Sequence, residues 1–333
     1  MKKYSIESVE LHITDACTHR CPYCYADAKL TASEYANFDI IRKIVDELAR
    51  SEVKVVALLG GDPVRHPRFV DIARYVKACG MKVACMSNTM VIEGHTPEQT
   101  LSFIDSIDTT IHGATADTHD AFCQSYGAYD SIMCYLETYS HLGVNVNIVI
   151  NIIPQTYNKV YDIVKGVLSK GVIIDTLLTQ RILPFGRAEN STEYDVVAKQ
   201  VNIAFDQIEK AVSDFRIKAS VEDPYPLCCV DEKHWKYMHG CPEGINRIAI
   251  NLDGDVSRCG AVNDYSLGNI LTTPLLQIWD SSTTLNSFRT CGHLTLPECL
   301  KCTYQGLCCG GCPVICEMCH KTGKNFIREF KGK

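Results

Sequence analysis

No apolar run in these 333 residues approaches the roughly 20 that a bilayer-spanning helix requires, so no membrane partner is expected. The opening residues, MKKYSIESVELHIT, lack the apolar stretch of about 7–15 residues and the small-residue cleavage site of a secretory signal. A cytoplasmic, reducing location is the expectation, and thiols there are usually ligands or reactive groups rather than crosslinks. No basic run stands out and the net charge is −6, so the electrostatic footprint of a nucleic-acid binder is missing. Nor does a Ser/Gly-rich linker divide the chain. Against these absences stands one excess: 19 cysteines, seven of them between Cys299 and Cys319. A chain this long buries enough apolar surface to fold without disulfide staples. The cysteines therefore call for another explanation.

From Val9 to Arg187, short β-rich runs alternate with helical patterns. The expected strands are VELHIT (9 to 14), VKVVALLG (53 to 60), KVACMS (82 to 87), IDTTIH (107 to 112), VNVNIVIN (144 to 151) and VIIDTLLTQRI (172 to 182). Between the first two lies FDIIRKIVDELARS, where Ile40, Ile41, Ile44, Val45 and Leu48 recur at helical spacing. Six strand–helix units predict an α/β fold with a parallel sheet and outer helices. That is fewer than the eight units of a closed barrel, so the expectation is an open, partial (β/α)6 barrel with its active groups at the strand ends. A further helix is expected over 193 to 212. From Cys228 the chain is rich in Cys, Gly and Pro, which sets the expected domains as 1–220 and 221–333.

CTHRCPYC follows the first strand. Cys17, Cys21 and Cys24, spaced CxxxCxxC, are three thiolates able to wrap one corner of a four-iron cubane and leave one iron without a protein ligand. Structural zinc, which wants four closed ligands with His12 or His19 as the fourth, is the alternative. The spacing and its place after the first strand resemble the radical S-adenosylmethionine (SAM) superfamily. By that resemblance the open iron chelates SAM, whose reductive cleavage yields a 5′-deoxyadenosyl radical. Tyr23 matches the aromatic residue beside the adenine. GGDP, Gly60 to Pro63, stands where the family usually has GGEP, so Gly60, Gly61, Asp62 and Pro63 are implied to meet the SAM amino group. Ser87 and Asn88 match the ribose-contacting position, and Thr110 matches a serine that contacts SAM. Family members commonly carry an arginine after the following His-Asp pair, whereas here Phe122, Cys123 and Gln124 follow. Arg181 is the candidate replacement, and Cys123 is a candidate thiol hydrogen donor.

The segment CPEGINRIAINLDGDVSRC, Cys241 to Cys259, reads as a β-hairpin around a DGD turn. Forty residues on come Cys299, Cys302, Cys308 and Cys312, spaced CxxCx5Cx3C, then Cys316 and Cys319. The whole pattern is similar to the SPASM domain, a radical SAM extension with two auxiliary four-iron clusters, which makes three 4Fe-4S clusters in all. The resemblance assigns Cys241, Cys259 and Cys312 to the first auxiliary cluster. Its fourth ligand is Cys228 or Cys229, or one iron stays open for substrate. Cys299, Cys302 and Cys308 go to the second, closed by Cys316 or Cys319, with Cys319 favoured. Two CxxC zinc sites are the alternative.

SPASM-bearing relatives mostly modify peptides and proteins. The leading expectation is therefore a ribosomal-peptide maturase that makes a thioether, a C–C crosslink or an epimerised residue. An electron donor such as flavodoxin or ferredoxin is an implied partner. The first strand starts near residue 8, so leader binding is expected to need a separate leader-binding protein or an exposed sheet edge. Alternatives are sulfatase-maturing protein oxidation, a small-molecule radical SAM dehydrogenase, and a non-enzymatic iron-sulfur electron carrier or metal-binding scaffold.

Overall fold

A computed structural model describes residues 4–30, 34–88, 91–189, 191–261, 266–292, 294 and 296–316. The six anticipated strands form: β1 (Ser8–Thr14), β2 (Val55–Gly60), β3 (Lys82–Met86), β4 (Ser106–Thr110), β5 (Asn145–Asn151) and β6 (Thr176–Gln180). They pair in sequence order and all in parallel. Parallel neighbours need crossovers, supplied by α1 (Phe38–Arg50), α2 (Phe69–Ala78), α3 (Pro97–Thr100), α4 (Ala116–Cys123), α5 (Ala128–His141) and α6 (Val160–Ser169). Helix α1 shows why these segments are helical. Asn37 caps it by accepting from the Asp39 N–H, and Ile41, Ile44, Val45 and Leu48 recur on one face and are buried. Full burial of each such side chain contributes about 1.5–3 kcal/mol, more than propensity alone supplies.

Helix α7 (Ala198–Phe215) leads to a seventh strand, β7 (Lys218–Val221), parallel to β6. This strand was not anticipated; KASV is too short to show alternation, and it spans the expected boundary at 220. The hairpin strands are β8 (Arg247–Ile250) and β9 (Asp255–Ser257), followed by β10 (Gly268–Asn269). Strand β8 lies parallel to β1, with Ser8 opposite Arg247 and Leu11 opposite Ile250. The sheet therefore runs β10-β9-β8-β1-β2-β3-β4-β5-β6-β7, and the Cys-rich part continues the barrel sheet past β1. Helices α8 (Leu275–Ser281), α9 (Thr283–Arg289), α10 (Pro297–Leu300) and α11 (Gln305–Cys308) complete the described chain. No helix among the described residues is long and apolar enough to cross a membrane.

Candidate active site

A cavity of about 440 Å³ opens at the ends of the parallel strands. Cys17, Cys21 and Cys24 from the loop after β1 line one part of its wall, and Cys241, Cys259 and Cys312 line another. Two cysteine sets separated by more than 200 residues thus face one chamber because β8 is seated beside β1. Of the residues matched to SAM contacts, Tyr23, Gly60, Gly61, Asn88, Thr110 and Arg181 also reach the wall. Asp62 and Ser87 are buried behind it, joined by a 2.7 Å hydrogen bond from Ser87 Oγ to Asp62 Oδ1, and Pro63 is buried too.

The cysteine loop is held by backbone. The Gly61 N–H donates to Thr14 O at 2.9 Å and the Asp62 N–H to Ala16 O at 2.7 Å. A Cβ on Gly60 would overlap the Thr14 carbonyl and one on Gly61 the Ala16 carbonyl. Glycine is needed here for close backbone packing beneath the loop. On the other side Arg187 acts as a clamp: its Nε donates to Cys21 O at 2.8 Å, its Nη1 to Ala28 O at 2.7 Å, and its N–H to Cys24 O at 3.0 Å. Arg187 was given no role from the sequence, where RILPFGRA, Arg181 to Ala188, resembles the family's exit from the sixth strand. Arg187→Met is expected to destabilise the iron-loaded protein by about 2 kcal/mol, the scale of lost hydrogen bonds from a charged donor. It should also speed iron loss to a chelator; chelation kinetics indistinguishable from wild type would remove the clamp.

Tyr23 stands against the run after β4. Its hydroxyl meets His112 Nε2 at 2.8 Å, and its ring lies 5.4 Å from that of Phe122. The backbone N–H of His112 donates to His119 Nδ1 at 3.2 Å. Cys123 does not line the cavity. It is buried in the core with its thiol turned to Asp120 O on its own helix, at 3.7 Å.

The donor sets fit iron-sulfur clusters. Among the described residues no three cysteine sulfurs lie within 4.8 Å of one another. Each set offers three cysteines to one wall of the chamber, the number that holds a four-iron cubane with one iron open. Burial pushes the Cys17 thiol up to about 11, with Asp62 adding to the effect, and pushes Cys21 up to about 12. The loop alone does not favour thiolates, and a cationic metal core would. The Cys241 and Cys259 thiols are likewise pushed up by burial and, among other causes, by Cys312, so these three lie within electrostatic reach of one another.

The chamber floor carries charge that was missed in the sequence. Arg247 reaches Glu222 at 3.2 Å, Glu10 at 3.6 Å and Glu243 at 3.8 Å. Burial raises the Glu10 and Glu243 carboxyls, Glu243 well above the carboxylate range, while Arg247 opposes the rise. Higher on the wall, Asn147 donates to Asp108 Oδ1 at 2.7 Å, and burial pushes Asp108 up to about 6. A carboxyl raised on folding holds its proton longer in the folded state, so stability falls as pH rises from about 4 to about 6. Asp108→Asn should erase that fall. The variant should match wild type near pH 4 and exceed it at pH 7 by up to about 2 kcal/mol, less than two full pKa units imply because the group is partly open to the cavity. Parallel stability–pH curves for the two proteins would refute this.

The remaining cysteines lie away from the chamber. Cys308 Sγ accepts the Leu227 N–H at 3.3 Å, and Cys228 is within electrostatic reach of Cys299 and Cys308. Cys228 or Cys229 was expected as the fourth ligand of the first auxiliary set, with an open iron as the alternative; their sulfurs lie 3.8 Å apart, and the segment that carries them docks on the 308–312 turn after leaving β7. Cys229 is buried in the core. Cys291 and Cys309 are joined as a disulfide, with a Cα–Cα distance of 5.2 Å, which was not anticipated. Cys316 packs with Cys291 and Leu294. Cys319 lies outside the described residues.

Residues 11–167 match the profile of the Radical SAM superfamily, and residues 241–303 match SPASM, an iron-sulfur cluster-binding domain. An AdoMet-dependent heme synthase of Nitratidesulfovibrio vulgaris is 22% identical, the match covering 90% of this chain and 85% of that protein. The antilisterial bacteriocin subtilosin biosynthesis protein AlbA of Bacillus subtilis is also 22% identical, covering 91% of this chain and 67% of AlbA. Among solved structures, Streptococcus suis SuiB bound to its precursor peptide SuiA superposes with a TM-score of 0.74 at 16% identity, over 94% of this chain and 73% of SuiB. The two domains imply SAM with a 4Fe-4S cluster, and auxiliary clusters beside them. The chain thus carries a radical SAM domain over residues 11–167 and a SPASM domain over residues 241–303.

Proposed function

We propose that the chain is a peptide maturase that removes a hydrogen atom from a side chain or backbone carbon of a ribosomally made peptide. The observation that carries this reading is the shared chamber, where Cys17, Cys21 and Cys24 face the same space as Cys241, Cys259 and Cys312. When bound, the four-iron cluster and SAM supply a one-electron cleavage and an adenosyl-derived radical able to attack an unactivated C–H bond. The chain's own work is binding, orientation and water exclusion.

In this reading Cys17, Cys21 and Cys24 hold the SAM-binding cluster, with Arg187 and the Gly60–Gly61 turn fixing their loop. Tyr23, oriented by His112, together with Asn88, Thr110 and Arg181, contacts SAM. Cys241, Cys259 and Cys312 hold an auxiliary cluster at the chamber wall, placed to take the electron that a substrate radical must lose to form a new bond. Residues 1–220 carry the radical site and 221–333 the auxiliary clusters. The electron donor is a flavodoxin or ferredoxin.

A chamber of about 440 Å³ lies within the range of about 300–1,000 Å³ that ligand pockets span, so it admits a peptide side chain beside SAM. AlbA's role in subtilosin biosynthesis and the SuiB–SuiA complex agree with that choice. The heme synthase relative keeps a tetrapyrrole as the second reading. Anaerobic reconstitution should give about twelve irons per chain and 5′-deoxyadenosine with SAM and reductant. Peptides encoded beside the gene should then lose hydrogen or invert a stereocentre, as read by mass spectrometry and chiral amino-acid analysis. Turnover of a porphyrin and of none of these peptides would overturn the reading.

A further inference from the structure

We infer that Cys228 is the fourth protein ligand of the C-terminal cluster held by Cys299, Cys302 and Cys308. This rests on the reading of those three residues as cluster ligands. Family spacing pointed downstream for the closing thiolate, whereas the packing points upstream, to the segment that leaves β7.

That segment is fastened to the cysteine turn at several points. The Cys312 N–H donates to Pro224 O at 2.8 Å. Gly311 sits so close that a Cβ there would lie 2.7 Å from Pro224 O and 2.8 Å from Pro226 N, and its φ of +82° is one that glycine adopts without strain. The single turn Leu227–Cys229 follows, and the Leu227 N–H donates to Cys308 Sγ at 3.3 Å. The next residue is Cys228. Its thiol acts on both Cys299 and Cys308, and it shares with Cys302 an exposed position. Cys229 beside it is buried in the core, its sulfur 3.8 Å from that of Cys228, so Cys228 stands at the edge between the core and the second set.

Cys316, the described alternative, lies in the turn that follows Cys312. Its N–H bonds to Cys312 O at 3.0 Å, and it is buried with Cys291 and Leu294 beside Gly310, in a cluster that Cys299 also packs against, so it is the rival that the test must separate from Cys228. Cys228, Cys299, Cys302 and Cys308 make a complete four-thiolate set for one cubane. They come from both sides of the connection between barrel and C-terminal part, so loading this cluster ties the end of β7 to the 299–312 region.

The test is iron and sulfide counting with electron paramagnetic resonance on anaerobically reconstituted full-length variants. Cys228→Ala should hold about eight irons instead of about twelve and lose one reduced-cluster signal, while Cys316→Ala keeps all three clusters. Cys228→Asp, which offers an oxygen ligand, should retain the iron but move the midpoint potential of one cluster. That variant decides the matter if the alanine variant does not fold. Full iron and unaltered spectra in Cys228→Ala, or an unmoved potential in Cys228→Asp, overturn the inference. Cys299→Ala is the reference: if it too keeps every iron, the cluster reading of Cys299, Cys302 and Cys308 has failed, rather than the choice of Cys228.

Discussion

Cys21→Ala is expected to lower 5′-deoxyadenosine formation by three orders of magnitude or more, about 4 kcal/mol or more in the barrier, and to cut the iron count by about four per chain. The loop explains why no other residue takes over. Cys21 is buried, and its carbonyl is pinned by Arg187 while Cys24 N–H closes back on it at 3.3 Å, so the backbone cannot swing a neighbour into place. Cys123, whose charge would reach Cys21, has its thiol turned to its own helix. Because the second and third cysteine sets lie on other segments, Cys21→Ala should leave their iron and their spectra in place. An iron count near eight with no SAM cleavage is the expected pair of results. Retained cleavage, or loss of all iron at once, would contradict the separation of the three sets.

Much of this arrangement was legible in the sequence, for reasons that are local. Alternating and helical apolar periods marked the six strands and their crossovers because each segment buries one face. The three-cysteine loop was legible because its ligands sit within eight residues. What was not legible depends on contacts between distant segments. Nothing in RIAI announces that β8 will extend the barrel sheet beside β1, yet that pairing brings Cys241 and Cys259 to the chamber. Cys228 was noticed only as one of two candidates, with Cys229, to join Cys241 just downstream. Its partner is chosen by the Gly311 contact with Pro224 and Pro226, about ninety residues later. A signal for the charged floor was present and passed over: Glu10 in β1, Asp108 in β4, and Asn147 and Asn151 in β5 put polar side chains on the chamber face of otherwise apolar strands. An inward row of polar groups in a parallel barrel has a reason to be there.

Arg247→Met tests that floor. One guanidinium faces Glu10, Glu222 and Glu243, and removing it leaves carboxylates in a site that burial already disfavours for charge. Breaking a buried ion pair from one side costs about 3–5 kcal/mol. The lower end, about 3 kcal/mol, applies here, because the Arg247 side chain is 29% exposed and water screens part of the loss. Methionine keeps the length of the apolar stem, so the loss reads as charge rather than as a cavity. Glu222→Gln alone removes one acidic charge and retains an acceptor for Arg247; it should cost under about 1 kcal/mol. The double variant should recover at least about 1 kcal/mol relative to the sum of the single changes, since one uncompensated carboxylate is gone. The measurement is the shift in urea midpoint at equal iron loading. Strictly additive shifts would mean that Arg247 and Glu222 do not act as a unit. A negligible cost for Arg247→Met would mean that the floor is solvated and its charges are not held against a dry chamber.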